Sequence, residues 1–194
     1  MGQEQAIGIH PVGEPHRVPL TVRDFLLLED AGAFEGLGRV ELIDGEVFTV
    51  APLYYPHGDT LFELTMALGL AVREVEGFRA TTPVSAELDA NSLPEPDLLV
   101  VKDGVGDRFV TPEYAQIFIE VSASSLRHDL GRKLRLYARS GVPEYWVADV
   151  KGGRIIRFHA PAGEEYAERA TFAFGDLVPS ATIPGLTVDT ARLA

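Results

Sequence analysis

Lys133 stands where an amphipathic helix should bury leucine. In the run from 117 to 149, IFIEVSASSLRHDLGRKLRLYARSGVPEYWVAD, a helix advancing about 100° per residue gathers Leu126, Leu130, Leu134 and Tyr137 into one apolar stripe, with Lys133 in its middle. An unpaired ammonium there would cost several kcal/mol, so it needs a carboxylate partner or a task. Two acids are on offer. Glu120 lies between Ile119 and Val121, and strand alternation turns it to the face opposite both. Asp97 closes PEPD, where Pro94 and Pro96 stop the chain from pairing, which places Asp97 at the end of a strand. Two carboxylates brought together repel, and one takes up a proton unless a cation intervenes. An all-oxygen pair suits Mg²⁺ or Mn²⁺, which acidify bound water and polarise a phosphoryl oxygen. Lys133 would then orient the attacking water or stabilise charge on the phosphate. Plainer readings exist for each: Asp97 as a turn cap after proline, Glu120 and Lys133 as a structural ion pair, and Asp129 with Lys133 as an ordinary i, i+4 helix pair, although Asp129 lies off the leucine stripe.

The elements that must position these residues follow from periodicity and punctuation. Residues 1–19 carry scattered Gly and Pro with no period, which reads as an arm with little structure of its own. Thr21 and Asp24 have capping-box spacing for a first helix. RVELIDGEVFTV predicts a hairpin about Asp44-Gly45, and the spacing of Leu61, Leu64, Leu68 and Val72 predicts a helix from His57 to about Val75. TTPVSAEL, PDLLVV and QIFIEVS read as strands, followed by the 125–140 helix, capped by Ser124 or Ser125 and stopped at Gly141 before Pro143. EYWVADV and RIIRFHA form a second hairpin, and shorter strands are expected near 166–174 and 182–188. The helix between QIFIEVS and EYWVADV is long enough to cross over between parallel strands. The expected class is α/β, bordering on α+β: a mixed β-sheet flanked by helices, with residues 20–194 as one domain.

With 194 residues, the chain is long enough to bury a substantial core. It has no cysteine, which excludes disulfides, thiolate metal sites and a cysteine nucleophile. No apolar run approaches the ~18 residues of a membrane span, and no basic-then-apolar leader is visible, so a cytoplasmic location is expected. The formal charge of −12 opposes non-specific binding to nucleic acid. The basic residues His128, Arg132, Arg135 and Arg139 share the helix side opposite the leucines; a solvated outer face is the simpler reading.

PEPDLLVV, IFIEVSASS and HDLGRKLRLYARSGVPEYWVAD, with VELIDGEV and PHGDTLFELTMAL upstream, together resemble the putative restriction endonuclease family of the PD-(D/E)XK nuclease superfamily. The resemblance spans roughly Thr21 to Asp149 and implies a restriction-endonuclease-like core with added N- and C-terminal strands. It implies Asp97 and Glu120 as metal ligands and Lys133 as catalytic base or stabiliser. The superfamily's usual lysine position holds Ser122 here, and the family's lysine is displaced to the following helix, at Lys133. Glu41 resembles an additional acid on an early element, against the plainer reading of an exposed hairpin residue. His57 matches a histidine often seen at the start of PHGDT, against a cap or surface residue. Tyr137 and Trp146 read as core.

The expectation is therefore a Mg²⁺- or Mn²⁺-dependent endonuclease hydrolysing DNA phosphodiester bonds. The alternative is a catalytically inactive nuclease-fold module that binds or interacts. A homodimer is a further possibility from edge strands and the C-terminal hairpin. Gly104-Val105-Gly106 lacks a following Gly-Lys-Ser/Thr and is no phosphate loop. Ser122, Ser124 and Ser125 lack the Gly-x-Ser-x-Gly elbow of serine hydrolases.

Overall fold

The computed structural model describes residues 17–50 and 54–194. Thr21 starts helix α1 (Val22–Asp30) with a reciprocal capping box: its hydroxyl accepts from the Asp24 N–H, and the Asp24 carboxylate accepts from the Thr21 N–H. Strands β1 (Val40–Ile43) and β2 (Glu46–Thr49) form the expected hairpin, with Asp44 and Gly45 both at positive φ, as a tight primed turn demands. A side chain at Gly45 would also collide with Pro19. Of the expected arm, residues 1–16 lie outside the described residues.

Helix α2 (Tyr55–Val72) accepts Pro56 in its first turn, where a missing N–H costs nothing. A six-stranded mixed sheet follows in the order β3-β4-β5-β6-β7-β8, comprising β3 (Phe78–Thr81), β4 (Leu98–Lys102), β5 (Ala115–Ser122), β6 (Glu144–Asp149), β7 (Arg154–Ala162) and β8 (Glu165–Ala173). Only β5 and β6 pair in parallel, joined by the expected helical crossover; the other pairings are antiparallel. The small tail strands β9 (Leu177–Pro179) and β10 (Thr187–Asp189) pair with each other. The segment TTPVSAEL is not the strand it resembled. β3 begins earlier, at Phe78, and ends at Thr81, because Pro83 offers no ladder donor; beyond it only an isolated bridge at Ala86 remains. The strand expected at 182–188 shortens to its last residues.

The sheet has an apolar core on each face. Ile117, Ile119, Val121 and Trp146 turn toward α2, packing with Leu64, Leu68 and Val72. Phe118, Tyr145 and Val147 turn the other way, toward Leu136 and Tyr137 of the crossover. Every residue of β5 is buried, as expected of a central strand covered on both sides. Alternation therefore carries Glu120 onto the Phe118 face, beneath the crossover helix. One buried acid of β6 has a purely structural duty. Glu144 accepts from the Trp146 indole at 2.6 Å and from the Ser180 and Thr182 hydroxyls and the Ala181 and Thr182 N–H groups, tying the tail to the sheet. Among the described residues no helix is long and apolar enough to cross a membrane.

Candidate active site

The crossover after β5 is not one continuous α-helix. It runs as α3 (Leu126–His128), a π-helical turn over Asp129–Lys133, and α4 (Leu134–Arg139). A π turn is wider than an α turn and recurs at functional sites. Positions 129 and 133, at i and i+4, share one side of the crossover, and both are buried, whereas Leu126, Leu130 and Leu134 are only partly buried. Asp129 is 2% exposed. The Ser122 and Ser125 hydroxyls both donate to its Oδ2 at 2.5 Å. Ser125 occupies the expected N-cap position without a side-chain cap bond, because its hydroxyl is given to Asp129.

Lys133 points inward, as the stripe requires. Its Nζ donates to Glu120 Oε1 at 2.9 Å and to Glu41 Oε1 at 3.0 Å. All three side chains are about 5% exposed or less. Glu41 sits on β1 and is also held by the Glu95 backbone N–H at 3.0 Å, so the reading of an exposed hairpin residue falls. The Tyr137 hydroxyl donates to Glu120 Oε1 at 2.7 Å; Tyr137 is core, as expected, and also orients the acid.

Asp97 precedes β4 directly and lies where its prolines put it. Its Oδ2 accepts from the Val121 N–H at 2.8 Å, bridging β4 to β5 beside Glu120. Its Oδ1 faces Arg39 Nη2 at 3.6 Å and His57 Nε2 at 3.9 Å. His57 is on the buried side of α2, and its Nε2 has no hydrogen-bond partner among the described residues. It is neither cap nor surface residue.

These side chains line a cleft of about 220 Å³, with Phe48, Tyr54 and His128 around it. Four carboxylates (Glu41, Asp97, Glu120, Asp129) face it against two cations, Arg39 and Lys133. Burial pushes the Glu120 carboxyl well above the ordinary carboxylate range; Lys133 opposes this, and Asp97, Asp129 and Glu41 add to it. Burial alone would also depress Lys133, but Glu120, Glu41 and Asp129 overcome it and hold the ammonium above its usual value. The surplus of carboxylates is what a bound cation would relieve. Among the described residues no three His, Asp or Glu side chains converge as a ready cation cage. Mg²⁺ needs none, since it keeps several waters and takes one or two carboxylates. Asp97 and Glu120 fit that donor set.

The family whose description reads "Uma2: Putative restriction endonuclease" matches residues 22–191. The chain belongs to the Uma2 family. Among solved structures, the chain resembles one described as a putative nuclease belonging to DUF820 from Anabaena variabilis, at 17% identity and a TM-score of 0.66. That match covers 90% of this chain and 97% of the other, and it supports the mixed nuclease-like fold. No match was found among curated proteins.

Sequence reasoning missed Arg39 and the inward role of Asp129. Arg39 lies at the entry of β1 with no pattern to single it out. Asp129 had a signal in its i, i+4 spacing to the inward Lys133, which puts the two on one face, but the same spacing also suits an ordinary helix ion pair. The basic face of the crossover is engaged as well. Arg132 pairs with Glu46 at 2.8 Å and lies over the Phe48 ring, and Arg139 pairs with Asp44. These arginines clamp the β1–β2 hairpin onto the crossover, which sets Glu41 over Lys133.

Proposed function

We propose that this Uma2-family protein is a divalent-metal-dependent endonuclease hydrolysing DNA phosphodiester bonds, with Asp97 and Glu120 as the metal-binding pair. The reading is carried by one observation: Lys133 is buried between Glu41 and Glu120 in the cleft that Asp97 also lines. When bound, Mg²⁺ or Mn²⁺ would supply an acidified water and a polarised phosphoryl oxygen. The chain's own groups do the rest. Lys133 and Tyr137 fix Glu120 Oε1, which orients that carboxylate before substrate arrives. Held as an ammonium by two carboxylates, Lys133 serves as an electrostatic stabiliser of charge on the phosphate rather than as a base. Its field is little screened because its side chain is buried. Arg39 and His57 border the far side of Asp97 and are placed to steer a phosphate toward it.

A second reading, a nuclease-fold module without catalysis, draws on the same ion pairs. Both cations of the cleft are already engaged by carboxylates, and the chain carries −12 charges. Two measurements separate the readings. Supercoiled plasmid incubated with protein and Mg²⁺ or Mn²⁺ should be nicked, and Lys133→Ala should abolish nicking. Calorimetric titration with Mn²⁺ should give binding that Asp97→Ala removes. Metal binding without cleavage of any DNA favours the second reading, and cleavage that survives Lys133→Ala rules out this site.

A further inference from the structure

Helix α2 buries one side against the sheet through Leu64, Leu68 and Val72 and is apolar on the other side too. Tyr55 is 82% exposed, Phe62 61%, Met66 51% and Leu70 60%. They follow one another along a single outward ridge at helical spacing. A surface helix ordinarily carries charge there, and one that is apolar all round is normally covered. Its length and hydropathy do not suit a membrane span. Gly58 and Gly69 also belong to this face, and a side chain at either would meet only open space. Glycine is disfavoured inside helices, and among the described residues nothing packs within 4 Å of where a side chain at either position would stand. The polar residues on this side are Asp59 near the start, accepting from the Tyr55 hydroxyl at 3.3 Å, the half-buried Glu63 at the flank of Leu70, and Arg73 at the C-cap.

We infer that this ridge is a self-association surface, occupied by the α2 ridge of a second copy of the chain in antiparallel, two-fold arrangement. Placing the axis between Phe62 and Met66 sets each Phe62 against the other copy's Met66. Leu70 then falls over Gly58, and Gly69 opens room beside Asp59, so bulk meets absence of bulk at both ends. Arg73 of each copy reaches the Tyr55–Asp59 corner of the other, matching cation to carboxylate and to an aromatic face. A two-fold axis supplies both contacts twice. The four large side chains offer roughly 500 Å² per copy, within the range of patches that mark contact sites. The pair would bury roughly 1,000 Å² in total, the lower limit of a specific interface.

Sedimentation-equilibrium centrifugation of the full chain tests this. The unaltered protein should show a concentration-dependent monomer–dimer equilibrium, and Phe62→Lys should weaken it at least ~10-fold. Leu27→Lys, at an exposed leucine of α1, should leave it unchanged. Asp59→Arg and Arg73→Asp should each weaken the dimer, and combining them should restore it to within ~3-fold. A chain that stays monomeric at ~100 µM, or a dimer indifferent to Phe62→Lys, overturns the proposal. So does a double charge reversal no tighter than its parents. Should Phe62→Lys fail to fold by circular dichroism, the charge-reversal set decides alone.

Discussion

The buried lysine is the residue on which the site turns, and its partners make it fragile. Substituting Lys133→Met leaves Glu41 and Glu120 buried without their cation, a change of about 3–5 kcal/mol when one partner of a buried pair is lost. Urea unfolding at neutral pH should record that loss as a lower midpoint with unchanged slope. Plasmid nicking should fall at least ~10²-fold, the size of losing one preorganised electrostatic group. Tyr137→Phe is the milder probe. It removes only the hydroxyl that donates to Glu120 Oε1, worth about 1.5–3 kcal/mol for a bond to a charged acceptor. Lowered stability with metal binding retained is the expected outcome. The burial of Glu120 and Lys133 was readable from sequence because each interrupts an apolar pattern, and the place of Asp97 before β4 because it closes PEPD. Asp129 was less so, since at i, i+4 from Lys133 it reads equally as an ordinary helix pair. Arg39 was not, since an arginine before a hairpin strand is ordinary.

At the scale of the element, the π turn over Asp129–Lys133 carries a buried acid at one end and a buried base at the other. Such a turn amounts to one residue inserted in an α-helix. Deleting Gly131, whose absent side chain faces open space, should restore regular α winding and leave Asp129 and Lys133 neighbours at i, i+3, but displaced by about 1.5 Å along the helix axis, enough to misplace the site. Far-UV circular dichroism should stay native-like while nicking is lost; unchanged nicking would dissociate the turn from the site. The same element gives a pH signature. Burial, with Lys133 adding to it, holds the His128 imidazole below its ordinary value of 6.5. As pH falls, the unfolded chain therefore takes up this proton first, so His128's contribution to stability is present above 6.5 and declines below it. Buried Asp129, held above its usual value first by burial, works in the opposite sense. The difference between unaltered protein and His128→Gln isolates the histidine. Thermal unfolding followed from neutral to mildly acidic pH should show that difference narrowing as pH drops, and a gap independent of pH would contradict the assignment. The crossover, the two hairpins and α2 were all readable from periodicity and from Asp44-Gly45. TTPVSAEL misled because its β-branched composition suits a strand while Pro83 forbids the ladder.

For the molecule as a whole, charge is the quantity that constrains how DNA could be held. All 17 Lys and Arg residues lie among the described residues. Those of the cleft are paired with carboxylates, as are Arg132 and Arg139 on the crossover. A protein that neutralises many phosphates with free cations releases many counterions, and its affinity falls steeply with salt. Here the cations that line the cleft are already engaged, so at the cleft the divalent ion must supply much of the local neutralisation. Binding of a labelled duplex, followed by fluorescence anisotropy with Ca²⁺ in place of the working metal to suppress cleavage, should therefore have a shallow salt dependence. A slope of log K against log salt of about −2 corresponds to roughly two phosphate contacts. Chelating the divalent ion should abolish binding altogether. A slope near −6 that persists in chelator would instead reveal a basic surface away from the cleft and would separate DNA binding from the Asp97–Glu120 pair.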